Sequence, residues 1–311
     1  YIVVEYTEVQ QVSNWVFSQD ITPQTTGDYA ASNIFGSALD IKDNLLVITA
    51  PNNSTDTTGS NTQNLTNTGS AWIYGYNTTS NSWALAQKIV PSGTNARVSN
   101  DYFGTSCKIF NGMVIVSSIN HDYNPTGQNP SSLSNMGSAW VWTNQNNTWI
   151  QTDILCPQGS EDISGFGSSV DMYNNILAIG SAGSCYDNTL VGNNTYQVGE
   201  YNYMLSAGAV YMVSVDSSGN FTYINKLVSP NRYAYGNFGY SVKFNQSNGK
   251  LYIGEPGYLT PGNSTYPLTE GAVYEFTPSS DFSSWTLSNT ILPDVSSINY
   301  ITPKTFGYTL D

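Results

Sequence analysis

Five Phe-Gly pairs, at Phe35, Phe103, Phe166, Phe238 and Phe306, divide the chain into periods of 68, 63, 72 and 68 residues. Each of the first four opens the same series of sub-motifs. After Phe238-Gly239-Tyr240-Ser241-Val242 come Leu251 to Pro256 and then Gly271-Ala272-Val273-Tyr274. The matching pieces are Leu45 to Pro51 with Gly69-Ser70-Ala71-Trp72, Met113 to Ser118 with Gly137-Ser138-Ala139-Trp140, and Ile176 to Ala182 with Gly208-Ala209-Val210-Tyr211. A period of this length restricts the chain to architectures that repeat one supersecondary unit.

Within each period lie four apolar runs rich in Val, Ile, Tyr and Trp. They are too short for helices and predict strands. In the first period these are Phe35–Ile41, Leu45–Ala50, Gly69–Tyr76 and Trp83–Val90. A tight turn at Lys42-Asp43-Asn44, a long polar loop from Asn52 to Thr68 and a hairpin at Asn77–Ser82 join them. Pro91 ends the fourth strand, and Pro157, Pro230 and Pro293 hold the same place later, as expected of a residue that removes a ladder donor. Glycine after each Phe is expected where backbones approach closely. Aligning Trp15 with Trp83 sets Pro23 opposite Pro91 and Tyr1–Tyr6 opposite strand three. The units are therefore 1–23 (partial), 35–91, 103–157, 166–230, 238–293 and 306–311 (partial), in one domain. Repeated four-stranded antiparallel units predict an all-β fold, a β-propeller with four complete blades and a split, incomplete fifth. Solenoid coils are usually shorter, and sandwich domains need about seven strands each.

The ordered series Phe-Gly-x-Ser-Val, an apolar strand ending Gly-x-Pro, Gly-Ala-Val-Tyr, and a later Trp resembles the FG-GAP repeat. That repeat builds the propeller of integrin α chains and of many secreted bacterial and protist proteins. The resemblance covers nearly the whole chain and implies a ring of five to seven blades. The ring closes with five, continues in a longer chain, or takes a strand from a neighbouring molecule. Many FG-GAP repeats carry an Asp-x-Asp-x-Asp-Gly calcium loop between strands one and two. The turns here, Lys42-Asp43-Asn44, Phe110-Asn111-Gly112, Tyr173-Asn174-Asn175 and Asn245 to Lys250, offer no three carboxylates, so this resembles a short-turn variant and no metal is expected.

Composition removes several classes. The net charge of −13, from 22 acidic against 9 basic residues, repels phosphate backbones and anionic membrane surfaces. No run reaches the ~18 apolar residues of a membrane helix. No basic-then-apolar leader precedes Tyr1, so any signal peptide is expected to have been removed or to lie outside this sequence. Three cysteines without a Cys-x-x-Cys pair, and one histidine, leave no ligand set for zinc. His121, beside Asp122, reads as a solvated loop residue. The acids Glu161, Asp162, Glu200 and Glu255 recur at no matched positions, and no dinucleotide or phosphate loop is present. No catalytic residue, cofactor or metal is therefore expected.

Nine Asn-x-Ser/Thr sequons begin at Asn52, Asn53, Asn64, Asn77, Asn146, Asn193, Asn220, Asn245 and Asn263, all in predicted turns or loops. Asn52 and Asn53 are adjacent and are not both expected to carry glycan. Cys156 opens a four-to-one link and Cys185 a two-to-three loop one blade on, which makes a disulfide between them geometrically reasonable; Cys107 reads as a small buried residue of strand one. The two-to-three loops Asn52–Thr68, Asn120–Met136 and Gly183–Ala207 are long and crowd one face, as functional loops do. These features together predict an extracellular, glycosylated propeller acting without catalysis as a structural or adhesive subunit of a cell surface, matrix or surface filament. Its partners would be other protein subunits, including head-to-tail copies of itself, and glycans. The alternative is a ligand- or glycan-binding receptor module using loop tyrosines such as Tyr123 or Tyr186. An enzyme is the third reading.

Overall fold

A computed structural model describes residues 18–23, 26–124, 126–129, 134–157, 164–185, 204–257, 270–293 and 306–311. The predicted strands at Tyr1–Tyr6 and around Trp15 lie outside them.

Among the described residues, sixteen strands form four separate antiparallel sheets. The first blade is β1 (Leu39–Lys42), β2 (Leu45–Ala50), β3 (Ser70–Asn77) and β4 (Ser82–Ile89). The second is β5 (Phe103–Phe110), β6 (Met113–Ser118), β7 (Ser138–Gln145) and β8 (Thr148–Leu155). The third is β9 (Phe166–Tyr173), β10 (Ile176–Ser181), β11 (Ala209–Val215) and β12 (Phe221–Leu227), and the fourth β13 (Ser241–Phe244), β14 (Leu251–Glu255), β15 (Ala272–Pro278) and β16 (Trp285–Ile291). Each sheet keeps chain order, and the fold is a β-propeller. The second and third strands read as continuous apolar runs because both their faces are covered.

One joint holds consecutive blades together, and it explains the repeat's glycines. The glycine opening each third strand forms a parallel bridge to the Phe that opens the next blade: Gly69 to Phe103, Gly137 to Phe166, Gly208 to Phe238 and Gly271 to Phe306. Each such Phe N–H donates to the carbonyl just before that glycine, on Thr68 (3.1 Å), Met136 (2.9 Å), Ala207 (3.0 Å) or Glu270 (3.3 Å). Any Cβ on these glycines would collide with the backbone of the Phe. The second glycine, after the Phe, sits at positive φ, and Gly104, Gly167, Gly239 and Gly307 lie against the opening of the previous blade's third strand. The Phe rings then fill the space between sheets. Phe103, Phe166 and Phe238 are fully buried, each contributing about 2–3 kcal/mol of burial. The apolar clusters accordingly mix residues of adjacent blades, as where Val47, Ile73 and Ile89 pack with Phe103, Val116 and Trp140.

Strand one of the first and fourth blades is shorter than expected. β1 begins at Leu39, not Phe35, because Gly36 and Ser37 turn their N–H groups onto Thr49 O, at 2.9 and 3.3 Å. All four outer hairpins share a register shift at one place, between Ile73 and Tyr74, Val141 and Trp142, Met212 and Val213, and Glu275 and Phe276. Each is a bulge that increases local twist.

Candidate functional site

The loops between the second and third strands and the links between blades emerge on the same face. There the β2–β3 loop and the β4–β5 link enclose a cavity of about 390 Å³, lined by Asp56, Ser60, Asn61, Thr62, Gln63, Asn95 and Arg97 with Pro91, Gly93 and Ala96. Local hydrogen bonds shape its walls. Asp56 Oδ1 accepts from Thr58 N–H (2.8 Å), Thr58 Oγ1 (2.6 Å) and Ser60 N–H (3.1 Å), an Asx turn that leaves Oδ2 to the cavity. The Thr58 hydroxyl and the Ser60 amide hold this carboxyl below its ordinary pKa, so it is ionised. Asn61 braces the loop by donating to Leu65 O (2.7 Å) and accepting from Leu65 N–H (2.9 Å).

Opposite stands Arg97. Its Nη2 donates to Ser54 O and to Thr68 Oγ1, both at 3.1 Å, which ties the link to the loop. Its Nε is buried and makes no hydrogen bond. Burial lowers the guanidinium's pKa and the facing Asp56 raises it, though not enough to cancel the burial. A carboxylate and a guanidinium therefore face one polar cavity without forming an ion pair with each other.

A second cavity, of about 200 Å³, lies where the first strands converge on the propeller axis. It is bounded by Asp40, Lys108, Asp171 and Lys243, each five residues after its Phe, with Tyr308 and Leu310 from the last Phe-Gly segment. Charges alternate from blade to blade: Lys108 Nζ lies 3.4 Å from Asp40 and 2.9 Å from Asp171, and Lys243 Nζ 3.0 Å from Asp311. The contact with Asp171 Oδ1 is an ion pair whose angle falls outside a hydrogen bond. Burial works against the Lys108 charge, but Asp171 and then Asp40 raise its pKa above the ordinary lysine value. The same acids cap the next blade: Asp40 Oδ2 accepts from Ile109 N–H and Asp171 Oδ2 from Phe244 N–H, both at 2.7 Å. These charges are spent on one another and on the backbone, so the axial cavity is a joint rather than an open site.

The residues singled out by sequence fall in varied places. His121 is not solvated. It is 1% exposed, its Nδ1 lies 3.2 Å from Asp101 Oδ2, and its ring packs edge-on against Trp140. The turn that follows β6 carries it inward. Glu161, Asp162, Glu200 and Tyr186 lie outside the described residues. Glu255 is fully buried; its Oε2 accepts from Tyr274 OH (2.7 Å) and Ser229 Oγ (2.9 Å), and burial pushes its carboxyl up to about 7. The disulfide is not formed: Cys107, Cys156 and Cys185 are free thiols, Cys107 buried in β5 as expected. Cys156 points to Tyr123 O at 3.8 Å, whereas Cys185 sits in its own turn against Gly183 O and Ser206 N–H.

Among the sequons, Asn64, Asn77, Asn146 and Asn220 are exposed, and Asn52 and Asn245 half-buried. Asn193 and Asn263 lie outside the described residues. Asn53 is fully buried and hydrogen-bonded at both amide atoms, which makes it unfit to carry a glycan. Sequence reasoning passes over Asp56 and Arg97, since one acid and one arginine in polar loops carry no pattern. The axial charges did have a signal, a fixed offset from Phe-Gly with alternating sign.

Neither a protein-family model nor a curated protein matches the chain. Solved structures do. A putative 6-phosphogluconolactonase from Bacteroides uniformis is 9% identical, with a TM-score of 0.41 over 82% of this chain and 71% of that one. Another, from Bacteroides fragilis, is 11% identical, with a TM-score of 0.39 over 86% and 74%. A functionally unknown protein from Desulfotomaculum acetoxidans is 9% identical, with a TM-score of 0.36 over 86% and 72%. At these values the likeness reaches the fold and no further. Against the expected non-catalytic structural or adhesive subunit, the two Bacteroides structures are titled as putative lactonases, and that expectation is not carried further.

Proposed function

We propose that this propeller binds a small, soluble, hydroxyl-rich molecule with an anionic group in the cavity between the β2–β3 loop and the β4–β5 link. The observation that carries the reading is that the Arg97 guanidinium and the ionised Asp56, without pairing to each other, line one polar space of about 390 Å³. A bound carboxylate or phosphate would pair with the guanidinium. Asp56 Oδ2 and the Asn95 side-chain oxygen would accept from hydroxyl groups, and the Gln63 amide could do either. The FG-GAP-like repeat and the exposed sequons Asn64, Asn77 and Asn146 support an extracellular setting for this activity.

Calorimetric titration with aldonic acids, aldonolactones and neutral hexoses tests the reading. The acids are expected to bind most tightly, and Arg97→Met to weaken them at least tenfold while Asn220→Ala changes nothing. Equal behaviour of Arg97→Met and the native protein, or no binding of any member of the panel, would overturn it.

A further inference from the structure

Under the first blade lies a closed group of polar side chains that the cavity does not use. Lys88, on β4, reaches inward past the Trp72 ring, its Nζ 5.1 Å from the ring centre. Its Nζ lies 2.7 Å from Asp28 Oδ1 and 2.6 Å from Thr55 Oγ1. Asp28 Oδ1 also accepts from Asn53 Nδ2 at 3.0 Å. Asn53 Oδ1 accepts from Thr55 N–H (2.9 Å), Ser70 Oγ (2.8 Å) and Thr55 Oγ1 (2.7 Å). None of these five residues is more than 8% exposed.

We propose that Lys88 and Asn53 become joined by an amide bond formed within the folded first blade, with release of ammonia. The geometry supplies a nucleophile, a shared proton carrier and donors to the amide oxygen. The nucleophile is the Lys88 amine, and one carboxylate oxygen of Asp28 touches both that amine and the nitrogen that must leave. The Thr55 amide and the Ser70 hydroxyl donate to the amide oxygen where negative charge develops, and the Thr55 hydroxyl, which lies against both Asp28 Oδ1 and Asn53 Oδ1, becomes a third donor once Asp28 is protonated.

The step balances as follows. Lys88 gives a proton to Asp28, which yields a neutral amine beside a neutral acid. Burial, which lowers the lysine's pKa, favours that transfer. Protonated Asp28 no longer needs the Thr55 hydroxyl proton, which turns to Asn53 Oδ1. Nζ attacks the Asn53 side-chain carbonyl carbon, and the Nζ–C bond forms. Asp28 passes its proton to Nδ2 and takes the second proton from Nζ. The C–Nδ2 bond breaks and ammonia leaves. The products are a secondary amide, free ammonia and a neutral Asp28, and a buried ion pair with its desolvation cost is gone. No oxidant or cofactor enters. The bond would fasten β4 to the start of the β2–β3 loop.

Intact-mass measurement of the purified full chain reads the result directly. The expected mass is lower than that of the sequence by one ammonia. Digestion should release a branched peptide that joins the segments holding Lys88 and Asn53. Asp28→Asn and Lys88→Met are expected to restore the unmodified mass. An unmodified native chain would overturn the proposal. So would the loss of one water, which places the bond on Asp28, or a glycan on Asn53. Because the native chain alone decides the question, a variant that fails to fold does not blunt the test.

Discussion

Glu255 closes the second strand of its blade, where Ala50, Ser118 and Ser181 close theirs. A large acid replaces a small residue there, and the fold buries it completely. Tyr274 and Ser229 satisfy Oε2, while Oε1 has no partner. Burial is the larger influence and favours the neutral acid, raising the pKa from the ordinary glutamate value to about 7. Between the unfolded value and about 7, the unfolded chain has released its proton while the folded chain still holds it. Stability from this group is therefore full below the unfolded pKa, falls as pH rises to about 7, and is level above that. The loss is on the order of 3 kcal/mol. Unfolding midpoints of the native protein and Glu255→Gln, measured from pH 4 to 9, should diverge across that window, with the native protein losing more. Parallel curves would rule the assignment out. The sequence named this acid only as one of four without a matched position, because its environment is made by Ser229 and Tyr274, which belong to other segments of the chain.

At the scale of the strand, the repeat's glycines separate into those that shape joints and those that do not. Gly69 has φ of +87°, and a side chain there would strike the Phe103 backbone. Gly75, in the middle of β3, has ordinary φ and open space around its Cβ position. Gly69→Ala is expected to destabilise by at least about 3 kcal/mol, because a positive φ and a backbone collision coincide. Gly75→Ala should be neutral or stabilise by up to about 1 kcal/mol. Urea unfolding of both variants separates the two, and similar midpoints would show that the joint tolerates a Cβ. The second and third strands were legible in sequence because both faces of their central residues are buried, so those residues are mostly apolar or small. β1 was over-extended in the reading because Phe35 to Ala38 look like strand, whereas Gly36 and Ser37 turn their N–H groups onto Thr49 O. The long two-to-three loop was legible as a loop, but the placing of Asp56 and Arg97 on one cavity was not. That placing depends on how the link after β4 folds back over the loop.

At the scale of the molecule, a propeller must solve one problem at its axis, where first strands from separate sheets meet edge-on. The chain solves it with charge. Asp40, Lys108, Asp171, Lys243 and Asp311 recur five residues after each Phe, and opposite signs pair at Lys108–Asp40, Lys108–Asp171 and Lys243–Asp311. The alternation does more than attract. Asp40 and Asp171 also satisfy N–H groups of the following blade, on Ile109 and Phe244, so each acid fixes the height of its neighbour as well as its distance. The position was visible in the period, whereas its role appears only once the blades are arranged round a centre. Burial sets how much each link is worth. The Lys108 side chain is 18% exposed and its partner Asp171 only 2%, so Lys108→Met leaves a carboxylate buried without its cation. That variant should lose about 3 kcal/mol. Lys243 pairs with Asp311, which is 98% exposed, and solvent screens the pair. Lys243→Met should therefore leave the unfolding midpoint unchanged and insensitive to added salt. Equal losses in the two variants would mean that the axis is held by packing alone and that its charges are surface decoration.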